Sequence, residues 1–267
     1  MDDGWRGCIN IRSNPVRGRF VMIQFDAQLF LSLFTAHLIG DFVMQSRYDV
    51  LYKKHLPVLF KHAFTVAILS WLFSGSMDLW IILPWIGITH AATDYVKAVY
   101  GDALGEPFGM FLLDQAVHIA IIILTAFAVP ALFVYESVWV VMFGDQFIQA
   151  MIIISGVILA VRVAGIVIGI WIGPMLQMME EQVREQFQRS SSIIGQMERL
   201  LIFFFVFTGL YSGVGFLLAA KALFRMGTLM DTSRRYESEY VITGTLISFT
   251  WALIFSWLAY YLLGAGW

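Results

Sequence analysis

The chain has 267 residues, of which 59% are hydrophobic and only 13% charged, too apolar for a soluble domain and too rich in hydrophobic residues for a disordered one. A formal net charge of −2 gives no pull toward nucleic acid, and one cysteine, Cys8, excludes an internal disulfide framework or a cysteine-built zinc site. This is the composition of an integral membrane protein, in which any metal must be held by histidine and carboxylate.

The first 21 residues hold Arg6, Arg12, Arg17 and Arg19 with no sustained apolar core, so a cleaved signal peptide fits poorly. Met22 is the expected native start, with a basic tail over 1–21 as the alternative. Stretches of about 20 residues, the length a helix needs to cross the hydrocarbon core, fall near 24–45, 56–74, 79–100, 108–129, 147–173, 197–224 and 239–263. Charged residues from Arg47 to Lys54, the turn Ser74-Gly75-Ser76, and residues 101–107 with Asp102 and Glu106 separate the first four; Pro130 is expected to stop the fourth. Ala131 to Phe143 is short and interrupted by Glu136, and reads as interfacial or re-entrant. A polar segment near 176–193, from Glu180 to Arg189 in its centre, reads as a helix in water or on the membrane surface. The expected fold is therefore all-α: a polytopic membrane helical bundle of about seven transmembrane helices plus a polar surface helix. Residues 22–130 form a four-helix module and 131–267 a three-helix one, with no evident internal repeat.

Four of the five histidines lie inside apolar stretches, three of them four residues from an aspartate: His37 with Asp41, His90 with Asp94, and Asp114 with His118; His62 stands alone. Ionisable side chains in hydrocarbon cost several kcal/mol each unless they pair, line a wet cavity or hold a metal. On a helix, residues i and i+4 share one face. The first span leads to the face called side B here. All seven residues then lie roughly 6 to 15 Å below side B at about 1.5 Å per residue. In each pair the aspartate is nearer side B, as one layered site requires. Packing histidines and self-neutralising pairs are the bland alternative for any single pair.

Several of these segments resemble an uncharacterised bacterial membrane family, the domain of unknown function 3307. They are His37-Leu38-Ile39-Gly40-Asp41-Phe42-Val43-Met44-Gln45, His90-x3-Asp94, Phe111 to His118, Gly195 to Arg199, Lys221 to Arg225 and Glu239 to Ser248. The resemblance covers about residues 22–250 and implies a start near Met22. The His/Asp spacing is more distantly similar to inner-membrane proteins described as metal-dependent hydrolases, which implies hydrolytic chemistry.

A His/Asp site with an open position binds water and lowers its pKa. The ligand candidates are His37, Asp41, His62, His90, Asp94, Asp114 and His118, with Asp41, Asp94 and Asp114 also as catalytic bases; the expected cofactor is a divalent transition metal, zinc first. Gln45, Lys53, Lys54, Glu198 and Arg199 are candidate substrate contacts, and Lys53, Lys54, Lys61 and Lys97 border the side-B mouth, where snorkelling lysines are the plainer reading. Lys221 and Arg225 are expected to face Glu239 and Tyr240 in a salt-bridged hairpin. Gly165, Gly169, Gly209, Gly213 and Gly215 read as close helix packing.

The leading functional expectation is a membrane-embedded metal-dependent hydrolase acting on a lipid or lipid-linked substrate. A proton- or cation-coupled transporter or channel, and a noncatalytic membrane scaffold, are the alternatives. Membrane lipid is the expected partner, with no nucleic acid, and homo-oligomers are compatible with the sequence. Side B carries more lysine and arginine than side A, which places a multi-pass protein in the inner membrane with its site mouth toward the cytoplasm.

Overall fold

The structure is a computed structural model that describes the backbone of residues 25–176, 181–229 and 235–264; the side chains of 102, 104, 174–176, 181–191, 224–229 and 235–241 lie outside the description. The basic tail and Met22 lie outside the described residues as well. All regular structure among the described residues is helical, as hydrocarbon requires: without water, backbone N–H and C=O groups must be satisfied within the segment.

Helix α1 (Ala27–Ile39) starts at Asp26, whose carboxylate accepts from the Leu29 amide, and runs into a π turn, Gly40–Met44. A short α2 (Arg47–Leu51) is closed by a Ser46/Asp49 capping box. Then come α3 (Leu56–Ser74), α4 (Ile82–Leu104) and α5 (Pro107–Leu132). Gly75, at φ +69°, ends α3 in the left-handed conformation that favours glycine. Pro130 does not stop α5, which continues to Leu132 because the proline falls in its last turn. The chain is then extended over Phe133–Ser137 and forms a short α6 (Val138–Phe143) with no buried residue. The Val138 amide and Trp139 Nε1 donate to the carbonyls of Gly75 and Leu72, pinning α6 to the end of α3 as an interfacial segment.

The next membrane helix is α7 (Asp145–Val157), a second π turn (Ile158–Val163) and α8 (Ala164–Leu176) in continuous succession. Then follow α9 (Glu181–Phe207), α10 (Tyr211–Leu229) and α11 (Arg235–Gly264). Five segments are long and apolar enough to span a membrane: Ala27–Met44, Leu56–Ser74, Pro107–Leu132, Asp145–Gly173 and Ile242–Gly264. Helix α4 has the length, with Asp94 and Lys97 among its apolar residues, and packs between α3 and α5.

Two expectations change here. The polar segment is no separate surface helix: from Glu181 onward it is the opening of α9, continuous with the apolar turns that follow. The stretch 197–224 is not one span. It breaks at Thr208–Leu210, where Gly209 adopts φ +71°, and α10 folds back along α9. Lys221 on α10 pairs with Glu198 on α9, each about ten residues from the break, so the two helices form an antiparallel hairpin. Helix α11 then runs parallel to α9, with Ser248 beside Arg199, and antiparallel to α7–α8, with Ala259 against Gly156 and Gly244 against Ile172. Its C-terminal end consequently lies on side A with Gly144, opposite the Tyr52 loop.

Because lipid is as apolar as leucine, helix association depends on close fit rather than on hydrophobic exclusion. Gly40 sets one such approach: a Cβ there would sit 2.6 Å from Val66 Cγ2, so only glycine lets α1 meet α3 at this depth. Thr35 and Ser155, with hydroxyl oxygens 2.8 Å apart, tie α1 to α7.

A buried histidine and aspartate cluster at the centre of the first four spans

The apolar positions of α1, α3, α4 and α5 stack into layers. Leu33, Val66, Ile86 and Ile122 form an aliphatic layer with Leu79, Ile82 and Val129. One turn toward side B from each of the first four lies a histidine: His37, His62, His90 and His118, all buried. The next turn carries Asp41, Asp94 and Asp114, with Asp94 completely buried at 0% exposure. Helical periodicity thus converts four sequence-distant spans into one aliphatic floor, one imidazole layer and one carboxylate layer. Neighbouring imidazole rings have centroids 4.2 Å apart (His90–His118), 5.0 Å (His62–His90) and 5.1 Å (His37–His118).

Four donor atoms converge most closely. His62 Nε2 and His90 Nε2 are 3.1 Å apart. Asp41 Oδ1 lies 3.4 and 3.3 Å from them, and Asp94 Oδ2 lies 3.5 Å from each. Metal–ligand bonds of about 2.0–2.1 Å place the donors of a tetrahedral site about 3.3–3.4 Å apart, which these five edges surround. Asp41 Oδ1 and Asp94 Oδ2 are also buried without a hydrogen-bond partner, a cost that a bound cation would offset. Three overlapping groups meet the distance requirement for holding a metal: His37, Asp41 and His90; His62, His90 and Asp94; and Asp94, Asp114 and His118.

The surrounding contacts orient this set. His118 Nδ1 donates to the Asp114 carbonyl at 2.8 Å, which fixes the tautomer and leaves Nε2 as a lone pair with no partner. Gln115 bridges the two outer members: its amide oxygen accepts from His37 Nε2 at 3.2 Å and its nitrogen donates to Asp114 Oδ2 at 3.1 Å. Lys53 reaches Asp94 Oδ1 and Lys97 reaches Asp114 Oδ2, each at 2.7 Å. Three carboxylates against two ammonium groups leave one formal negative charge when the imidazoles are neutral, so the cluster attracts a cation.

The structure brings all seven predicted cluster residues together. Lys53 and Lys97, expected at the rim, are instead ion-paired within it. Gln45 lines the side-B vestibule with Asp41, Lys53 and Lys97, and its amide nitrogen is buried without a partner. Lys54 is exposed and does not line that vestibule. Lys61 pairs with Asp49 at 2.9 Å; this contact and the Ser46 hydrogen bonds hold the Asp49 carboxyl down at about 2. Glu198 and Arg199 do not line the vestibule either. Glu198 binds Lys221, and buried Arg199 donates to the Val161 carbonyl (3.2 Å) and the Ser248 hydroxyl (3.0 Å). The expected Lys221 partner, Glu239, has its side chain outside the description. One residue the sequence reading left unassigned is Arg162. It sits in the second π turn, lines the vestibule, and donates from Nε to the Phe42 carbonyl at 3.2 Å. Its signal was an arginine inside an uninterrupted apolar span.

Fold and site together define a multi-pass helical membrane protein with a buried histidine and aspartate cluster able to hold a metal ion. Residues 29–145, which contain every member of the cluster, match the family described as a protein of unknown function, DUF3307. No curated protein and no solved structure matches the chain, so the more distant likeness to membrane hydrolases gains no support from them.

Proposed function

We propose that this protein is a membrane-embedded metal-dependent hydrolase acting on a lipid or lipid-linked substrate. The observation that carries the reading is the set of near-tetrahedral distances among His62, His90, Asp41 and Asp94, with two of its oxygens otherwise unpartnered. Asp41, His62, His90 and Asp94 would hold the ion, with zinc the first candidate for this donor set. A divalent metal supplies Lewis acidity there and makes bound water acidic enough to ionise near neutral pH.

The protein's own groups have distinct tasks. His118 Nε2 and Asp114 Oδ1 are each buried and unpartnered, and serve as proton acceptors. Gln115 holds His37 and Asp114 in register. Lys53 and Lys97 hold Asp94 and Asp114 in place through their ion pairs. A vestibule of about 690 Å³ reaches Asp41 and Asp114 from side B, while the void that His90 and His118 share with Val66, Ile86 and Ile122 measures only about 10 Å³. That geometry favours a reaction chamber over an open pore. The π turns of the first helix in each half, at its end in Gly40–Met44 and between α7 and α8 in Ile158–Val163, are the feature that favours the cation-coupled carrier instead.

Elemental analysis of detergent-purified protein tests the central claim. About one divalent transition metal per chain is expected for the wild type, and background levels for a His62→Ala, His90→Ala double variant. If both lack stoichiometric metal, the hydrolase reading fails and proton relay becomes the better account. Metal uptake by liposomes containing the wild type, abolished in the same variant, would select the carrier.

A further inference from the structure

A second cavity adjoins the vestibule. It measures about 410 Å³ and lies between α1 and α5 on one side and α7–α8 and α11 on the other, with Phe34, Leu38, Ile119, Ile152, Leu159 and Trp251 on its walls. Both volumes fall in the range of roughly 300–1,000 Å³ usual for small-molecule sites. Phe42, Phe111 and Gln115 line both cavities, so the two meet beside the cluster. One is aliphatic and aromatic; the other carries the charged side chains of Arg47, Arg162, Lys53 and Lys97.

The cations of the vestibule are not equivalent. Lys53 and Lys97 are neutralised by Asp94 and Asp114. Arg162, inside a membrane span, spends only Nε on the Phe42 carbonyl and has no carboxylate partner among the described residues. Gln45 adds a buried amide nitrogen with nothing to donate to. A guanidinium fork and an unsatisfied N–H in one chamber call for an anionic group rich in acceptor oxygens. The neighbouring apolar cavity calls for hydrocarbon.

We propose that the two cavities form one site for a phosphate-bearing amphiphile, its headgroup held in the vestibule by Arg162, Arg47 and Gln45 and an acyl chain in the apolar cavity between the two sets of helices. This rests on reading the cluster as the reaction centre, and it brings the headgroup linkage to Asp41 and Asp114. Arg162 is then the residue by which the C-terminal helices take part in substrate choice.

The test is equilibrium binding of tritiated hexadecyl phosphate to the full chain in phosphatidylcholine nanodiscs, corrected for empty discs, in both metal-loaded and chelator-treated protein. Inorganic phosphate and hexadecyl maltoside are the competitors. Saturable binding is expected in both preparations, so a protein without metal would sink the hydrolase reading and still report on this one. Arg162→Gln should weaken hexadecyl phosphate binding by about tenfold or more, the worth of one charged hydrogen bond, without changing competition by the maltoside. Ile119→Trp, which narrows the apolar cavity, should weaken both amphiphiles. Unsaturable binding, binding indifferent to Arg162→Gln, or inorganic phosphate competing as well as its hexadecyl ester would each overturn the proposal, the last by showing a site for free phosphate alone.

Discussion

Residues 27–132 and 145–264 each contain four long helices that alternate in direction, and the first of each carries a π turn, at its end in Gly40–Met44 and midway in Ile158–Val163. Their buried polar groups differ in kind. Among α7–α11, Glu198 is matched to Lys221 and Arg199 to Ser248 and a carbonyl, and no buried side-chain nitrogen or oxygen there is left without a partner among the described residues. Among α1–α5, Asp41, Asp94, Asp114 and His118 all retain unpartnered buried atoms. Burial of charge alone therefore does not separate a closed ion pair from a cluster able to hold a metal. Several unpartnered atoms converging on one point do.

The sharpest way to break that contrast is to remove one charge from each half. Asp94→Asn should cut metal affinity at least about tenfold while the protein still inserts, since it loses a donor and strands Lys53. Glu198→Gln should leave metal content unchanged and lower stability by about 1–3 kcal/mol, because the partly buried Lys221 loses its charged partner. Elemental analysis and thermal unfolding in one detergent read both; metal loss from Glu198→Gln would erase the distinction.

The fold-back of α10 makes an all-or-none prediction. A reporter fused after Trp267 should share the side of one at Gly144 and oppose one at Tyr52, whereas a single crossing over 197–224 puts Trp267 with Tyr52. The fold-back also moves Lys221, and the backbone positions of Arg225 and Arg235, to side B, which strengthens the proposed cytoplasmic orientation of the vestibule.

Smaller effects come from glycine. Gly40→Ala should cost about 1–3 kcal/mol and weaken metal binding, because relieving the Val66 clash pushes α3, and with it His62, away from Asp41. Gly169→Ala on α8 meets nothing within 4 Å and should be neutral or slightly stabilising. The least effect is expected at Asp49. Its ionised form is favoured in the folded state, so its contribution is present above the ordinary carboxylate range and lost as the pH falls toward 2. Asp49→Asn should remove that acid-side slope at a cost below about 1 kcal/mol, with the Lys61 ammonium largely exposed.

The cluster was legible because its chemistry repeats locally. Spacings of i and i+4 put His and Asp on one helix face, and rise per residue set their depth, so four spans could be aligned without a structure. What joins spans over long separations was hidden. Nothing local tells that Lys53 crosses to Asp94 or Lys97 to Asp114, and snorkelling was the natural expectation for both. The break at Gly209 was missed because a glycine in an apolar run is as compatible with packing as with a turn. Glu198 and Arg199 were read toward substrate because they lie on side B, and the partners they face, Lys221 and Ser248, depend on rotation about the helix axis, which no local pattern gives. Arg162 went unassigned because it has no charged neighbour at helical spacing.

The two π turns lie against each other at the join between the halves, and each frees a carbonyl that an arginine takes up: Phe42 by Arg162, Val161 by Arg199. A π turn carries one residue beyond the α-helical count, and returning it to α geometry rotates everything on one side of it by about 100°. Asp41 belongs to the first turn and Arg162 to the second. The register of these two touching turns therefore sets the aim of both Asp41, proposed to hold the metal, and Arg162, proposed to bind the headgroup.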